Sequence, residues 1–332
     1  MLFDKSRNGA EELKEILGFI YASNSFDNLK TDIILAETEI KRLIGAMFVT
    51  AEDHYKSDDY LSDETDEDIV KLDRLVRAIQ LPVAYHAVYS YAPHGDITHS
   101  DKGRGILVTE REKPAFEWMI ERDNKALLNK AHKTTDLLLE LLETDFAEAW
   151  AEAKPESLKG WFIDSVLMFE NSFPIGGSRR LFMTIQPFQR KIETGRIQAV
   201  LGSVLFEELK AYLNTGEGSD EEKQKWENIL AAARPAIALL TMALAVRRLT
   251  LEVLPEGIFQ NYESDKMTLK AKAIGTPQVR LELSKLLEME GEREMLNLQN
   301  VLQRITAEEN SSAWVPVDPT ERMTSENKFF RA

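Results

Sequence analysis

No cysteine occurs in the 332 residues, so the chain has no disulfide, no thiolate nucleophile and no cysteine-bound zinc. Histidine is scarce, with five residues scattered along the chain. Basic residues are outnumbered: 41 Lys and Arg against 56 Asp and Glu leave a net charge of −15. That balance argues against tight sequence-independent nucleic-acid binding, which draws its affinity from a basic surface that releases counterions. It does not exclude a surface that DNA slides past. The opening Met1-Leu2-Phe3-Asp4-Lys5 has no apolar stretch of the kind that marks a signal peptide. The longest apolar run, Ala236 to Val246, is shorter than a bilayer span. With 43% hydrophobic and 29% charged residues, the composition is that of a folded, soluble protein, intracellular or in a virion, and long enough for two domains.

What is present is a repeat. The stretch Asp66 to Tyr91 begins with acidic residues, carries apolar positions Leu72, Leu75, Val76, Ile79 and Val88, and contains Pro82. The stretch Ser219 to Leu254 does the same with Trp226, Ile229, Leu230, Ile237, Leu240 and Leu244 around Pro235. A proline inside a helix removes one hydrogen bond and crowds the preceding turn, so a kink is expected at both places. Phe19-Ile20 with Phe26-Asp27-Asn28 matches Phe162-Ile163 with Phe169-Glu170-Asn171 at an offset of 143 residues. Ile40 to Gly45 matches Ile197 to Gly202 at 157, which places extra residues in the second copy at Phe173 to Thr184.

Periodicity predicts helices over 10–22, over 30–45 with Gly45 as its cap, and from Pro114 to Leu142. Another is predicted from Pro277 to Ile305. Tyr55 to Asp68 reads as an acidic loop, and small hairpins are expected at His94 to Val108 and at Gly257 to Ala273. The expected fold class is therefore mainly α: two tandemly duplicated helical-bundle domains, each with a long proline-kinked helix and a small β-hairpin. Copy 1 spans 1–145 and copy 2 spans 161–308, with a junction at 146–160 and an extended C-terminal arm at 309–332.

No catalytic, cofactor-binding or metal-binding residues are assigned. His94 and His99 flank a turn with Asp96 and Asp101, which reads as a solvated polar turn before it reads as a metal site. The acids at Asp58-Asp59 and Asp63 to Asp68 lack the glycine of a calcium loop and suit a helix start instead. Gly176-Gly177-Ser178-Arg179-Arg180 offers backbone N–H groups and two guanidiniums to a phosphate, yet lacks the lysine of a P-loop. Pairing of these arginines with carboxylates, including those of a neighbouring subunit, is the stronger expectation. Trp314, Phe329 and Phe330, with Arg179 and Arg180, are candidate partner-docking residues.

The duplicated order of Gly-capped helix, proline-bearing long helix, Gly-Ile hairpin and Pro-started helix resembles a family of tailed phages and prophages of gut Bacteroidales. The residues that carry it are Ile40 to Gly45, Asp66 to Tyr91 with Gly105-Ile106, Lys113-Pro114-Ala115, Phe169-Glu170-Asn171, Ser178-Arg179-Arg180 and Asn327-Lys328-Phe329. That family looks similar to phage head–tail connector (adaptor) proteins, helical proteins that form a ring beneath the portal. The resemblance implies a non-enzymatic virion component, a cyclic homo-oligomer of twelvefold symmetry. Its implied partners are the portal and the tail or neck proteins, with DNA only passing through the bore and no membrane or cofactor. Connectors are commonly single-copy, whereas this chain carries two copies. Other expectations left open are a tail or baseplate scaffold, a cellular helical adaptor and a helical enzyme.

Overall fold

The computed structural model describes residues 2–4, 9–18, 26–96, 98–100, 103–105, 115–153, 160–249 and 277–312. It divides into two compact units. Unit 1 comprises residues 1–159 with 176–184, and unit 2 comprises 160–175 with 185–332.

Unit 1 begins with Leu2 and Phe3, both fully buried, followed by α1 (Gly9–Leu17), α2 (Phe26–Ile44) and α3 (Ala46–Lys56). The long α4 (Glu67–Gly95) starts where Asp66 accepts hydrogen bonds from the N–H groups of Asp68 and Ile69, with Glu67 and Asp68 facing the positive end of the dipole. Its buried face is Leu75, Val76, Ile79, Val83, Ala84 and Ala87, at helical spacing. Thr98–Ser100 (β1) then pairs antiparallel with Gly103–Gly105 (β2), and α5 (Glu117–Thr144) returns along α4. After Asp145 caps α5, α6 (Ala147–Ala153) folds back.

Unit 2 contains α7 (Val166–Glu170), most of α8 (Arg179–Ile192), a π-helical turn (Glu193–Ile197), α9 (Gln198–Leu201) and α10 (Ser203–Thr215). Its long helices are α11 (Asp220–Arg248) and α12 (Pro277–Ser312). A capping box between Ser219 and Glu222 opens α11. By length and composition α11 could cross a membrane, but 72% of its most apolar window is buried within the protein. Gly291 lets α12 approach α11 closely: a side chain there would meet Leu240 Cδ2 at 2.7 Å.

Burial puts the two copies in one register. Both α4 and α11 have 29 residues, and Pro82 and Pro235 each sit fifteen positions after the first helical residue. Both helices run through their proline without interruption. Leu127, Ala131, Thr135 and Leu138 of α5 are buried in step with Leu287, Gly291, Met295 and Leu298 of α12, 160 positions on. Phe26, Leu29, Ala36 and Glu37 match Phe182, Ile185, Ile192 and Glu193 at 156, and Ile40, Ile44 and Gly45 match Ile197, Leu201 and Gly202 at 157. The step from 156 to 157 falls in the π turn, where wider i→i+5 bonding accommodates one extra residue.

This register corrects the match at 143. The counterpart of Phe26 is Phe182, not Phe169, so 173–184 is not an insertion. The junction expected at 146–160 is corrected too: α6 packs into unit 1, with Phe146 and Trp150 buried in its core, because its apolar residues face α3 and α5. α1 covers Gly9–Leu17 and Gly18 follows at φ 55°, residues 19–22 of the expected helix lying outside the described residues, and α3 occupies a stretch left unassigned. α2 begins four residues earlier than expected, and α12 runs seven past Ile305. His94 belongs to α4, so the paired strands begin only at Thr98. Pro114, the second hairpin (257–273) and most of the C-terminal arm lie outside the described residues.

Each unit grips the segment that opens it in the same way. In unit 1 the Leu2 N–H donates to Glu37 Oε1 at 2.5 Å, and the Leu2 carbonyl accepts from Gln80 Nε2 of α4 at 2.8 Å. In unit 2 the Phe162 N–H donates to Glu193 Oε2 at 3.2 Å, and the Phe162 carbonyl accepts from Arg234 Nε of α11 at 2.9 Å. Gln189 Nε2 joins the Ile163 carbonyl to Glu193 Oε1 at 2.7 and 2.8 Å. Burial raises the pKa of Glu37, and raises that of Glu193 to about 7 against the hydrogen bonds from Gln189 and Phe162.

Between the ordinary glutamate value and about pH 7, the folded chain therefore holds a proton on Glu193 that the unfolded chain releases. Stability contributed by this site is full below about pH 4.5 and is lost as pH rises through about 7, a change on the order of 3 kcal/mol. Thermal melts at pH 5 and pH 8 are expected to show the loss in the natural chain. Glu193→Gln, which mimics the protonated form, should flatten that part of the profile. An unchanged pH dependence in the variant would refute the assignment.

Candidate functional site

The Gly-Gly-Ser-Arg-Arg stretch is placed in unit 1, against α5. Gly176 and Gly177 adopt φ 67° and 68°, a conformation that favours glycine, and turn the chain into α8. Ser178 Oγ accepts from the Leu181 N–H at 3.2 Å as an N-cap. Asp136 of α5 accepts from the Arg180 N–H at 2.7 Å and from Ser178 Oγ at 3.4 Å. A carboxylate from the same unit therefore occupies the position at this helix start where a phosphate would have to sit. The Arg179 guanidinium is also engaged: its Nε donates to Glu143 Oε2 at 2.7 Å, and Glu140 lies 3.6 Å from its other end. The arginine–carboxylate pairing is intramolecular.

Behind Asp136 lies a polar cluster that sequence reading did not single out. His86 of α4 and His132 of α5 stand with ring centroids 6.2 Å apart. Thr135 Oγ1 donates to the Ala131 carbonyl at 2.8 Å, so it receives the contact of His86 Nε2 at 3.4 Å as an acceptor. Burial lowers the pKa of both histidines, that of His132 to about 4 with the Arg180 charge adding to the effect. Both are neutral at pH 7. Burial pushes Asp136 up and Arg180 down, each opposed by the other's charge. Neutral imidazoles, an engaged carboxylate and a guanidinium hold two helices and a turn together.

The remaining sequence candidates are separate from this cluster. Asp63 and Asp66 cap local N–H groups before α4, and Glu67 and Asp68 fill its first turn. His94 and Asp96 lie at the C-terminal end of α4, and His99 lies in β1. Among the described residues no three His, Asp or Glu side chains come together to hold a metal ion. Trp314, Phe329 and Phe330 lie outside the described residues.

Removing the Asp136 carboxylate leaves the Arg180 N–H without its acceptor and the half-buried Arg180 guanidinium without the opposite charge that favours it. Asp136→Ala is expected to lower unit 1 stability by about 1–3 kcal/mol in urea denaturation. Arg179→Ala, whose ion pair is partly solvated, should cost less, about 1 kcal/mol or below. A larger loss from Arg179 than from Asp136 would reverse this assignment.

Compared with known proteins, the chain matches the pattern of a family of unknown function (DUF6712) twice, over residues 34–155 and again over 197–311. The first match runs from within α2 through α6, and the second runs from the end of the π turn into α12. No curated protein and no protein of solved structure matches it.

Proposed function

The chain belongs to that family, DUF6712, in two tandem copies, and from this premise we propose that it is a structural virion component: a head–tail connector that assembles as a ring between portal and tail of a tailed bacteriophage. In this reading both copies carry a small hairpin, that of copy 1 at 98–105 and that of copy 2 within 257–273. The ring is a homo-oligomer of twelvefold symmetry, DNA only passes through its bore, and neither cofactor nor membrane takes part.

The observation that carries the reading is an apolar stripe on α12. Val279, Leu286, Met289 and Leu296 are 52%, 49%, 55% and 59% exposed, at spacings of seven, three and seven residues. Such a seam suits packing against another helix, and exposed apolar patches of this kind mark interaction surfaces. In register, Leu296 corresponds to Asp136 of α5. In unit 1 that face is covered by Gly176–Thr184, and its polar residues are matched by the covering segment. The equivalent face of unit 2 is apolar, and no described residue of the chain covers it. A second copy seated there in head-to-tail fashion makes a heterologous contact, and such contacts close into rings. The −15 charge favours an electronegative bore, which lets DNA pass without sticking.

The test is negative-stain microscopy of the purified chain, which is expected to reveal closed rings, together with co-purification with a portal. A chain that stays monomeric at micromolar concentration with and without the portal would overturn the proposal. Co-assembly with tail or baseplate proteins instead would move it to the tail. Leu286→Glu with Leu296→Glu, at exposed positions, should abolish rings while leaving the helical signal intact. Deleting Ser325 to Ala332, with Phe329 and Phe330, should weaken assembly without altering helicity or melting.

A further inference from the structure

Unit 2 contains a groove of about 460 Å³ lined by Leu201, Val204, Leu205, Ile229, Leu302 and Ile305. It lies beside Gly202, where α9 gives way to α10. The same place in unit 1 is full. There Gly45 separates α2 from α3, and α6 folds back after α5, so that Trp150 is only 5% exposed. The Ala153 carbonyl comes within 3.7 Å of where a side chain on Gly45 would begin. In register, Met47 and Phe48 are the counterparts of Val204 and Leu205, and Leu142 is that of Leu302. Met47 is 3% exposed, whereas Val204 is 73% exposed. Unit 2 retains the apolar wall, and none of its described residues supplies the cover.

The sequence contains a matching cover. Ala149-Trp150, four residues and Pro155 in unit 1 correspond to Ala313-Trp314, four residues and Pro319 immediately after α12. We propose that residues 313–319 of the same chain close this groove, with Trp314 taking the place that Trp150 takes in unit 1. The reach is sufficient. Thr306 is part of the groove wall, and at about 1.5 Å per helical residue Ser312 lies roughly 9 Å beyond it. Two residues folded back and an indole side chain span that distance. A buried indole N–H requires an acceptor, and Glu208, which stands where unit 1 has Ala51, supplies a carboxylate on the groove wall. Trp314 is thereby assigned to its own unit, leaving Phe329 and Phe330 to reach a neighbour.

The absence of cysteine makes the test direct. Val204→Cys and Val315→Cys are introduced together in the full chain, and Val204→Cys with Ala332→Cys serves as control. Val204 is exposed, so its replacement removes nothing from the core. Under mild oxidation by diamide at low protein concentration, the first pair is expected to form an intrachain disulfide at least about tenfold faster than the control, because docking raises the local concentration of the two thiols. Adding Trp314→Ala should bring the rate down to that of the control. Equal rates for the two pairs, or a disulfide joining two chains, would overturn the proposal. The result does not depend on ring formation, so this inference and the proposed function fail separately.

Discussion

Two buried carboxylates, Glu37 and Glu193, tie the opening segment of each unit to its central helices. A pair of residues with both side chains in the core brings peptide groups with it, and these cannot be left dry without a cost of about 1–3 kcal/mol each. The glutamate accepts the N–H of Leu2 or Phe162, and a side chain from the proline-bearing helix donates to the carbonyl. The carboxyl is thereby buried among apolar residues, which raises its pKa. Unit 1 extends the arrangement: Glu12 accepts from Tyr55, Tyr60 and Gln80, so α1, α3 and α4 meet at one carboxylate. Unit 2 substitutes Arg234 and Gln189 for that network. The geometry of the grip outlasts the identity of most groups that make it.

What was legible in the sequence was local. Acid-rich starts at Asp66 and Ser219, the matching prolines and the glycines at 45 and 202 act through their own backbone or their nearest turns, and the reading located them correctly. The grip was not legible because its partners lie 35 and 31 residues apart. Without it, Phe162-Ile163 was aligned with Phe19-Ile20, a chance likeness, in place of Leu2-Phe3. A signal was nevertheless present. Glu37 and Glu193 both interrupt an apolar face, at Ile33, Ala36 and Ile40 in one copy and Ile185, Ile192 and Ile197 in the other. The Ala- and Glu-rich composition of α6 looked like a linker, since its burial rests chiefly on Trp150 and on Phe146 just before it. The cluster of His86, His132 and Asp136 depends on a turn more than forty residues away in the chain, which no periodicity reports.

The copies have diverged most where one neighbour meets another. Leu127, Ala131, Thr135 and Leu138 of α5 stay buried as Leu287, Gly291, Met295 and Leu298 of α12, while the adjacent face changed character: Leu296 stands for Asp136, Met289 for Asn129 and Leu286 for Ala126. A core position tolerates only volume-conserving exchange, because density leaves no room for anything else. A surface position is free to change until something packs on it. A stripe of large apolar residues facing solvent runs against solubility unless it is covered in the working assembly.

Repeat arrays face this problem at their ends, where a terminal unit exposes the surface that its predecessor buries. A lone chain can cap its end with polar residues, or it can leave the end apolar and complete it with another chain. The α5 face, with Asp136 receiving Ser178 and Arg180, is the polar and internally satisfied version. The α12 face is the apolar version. A polar face of the first kind specifies one partner through hydrogen-bond geometry, whereas an apolar seam gains affinity from area and tolerates adjustment. That division fits the proposed ring, in which the internal arrangement would be unique and the contact with the next copy would close the circle. Two units that fold by the same rule and differ on one helix face supply both kinds of contact from a single duplicated design.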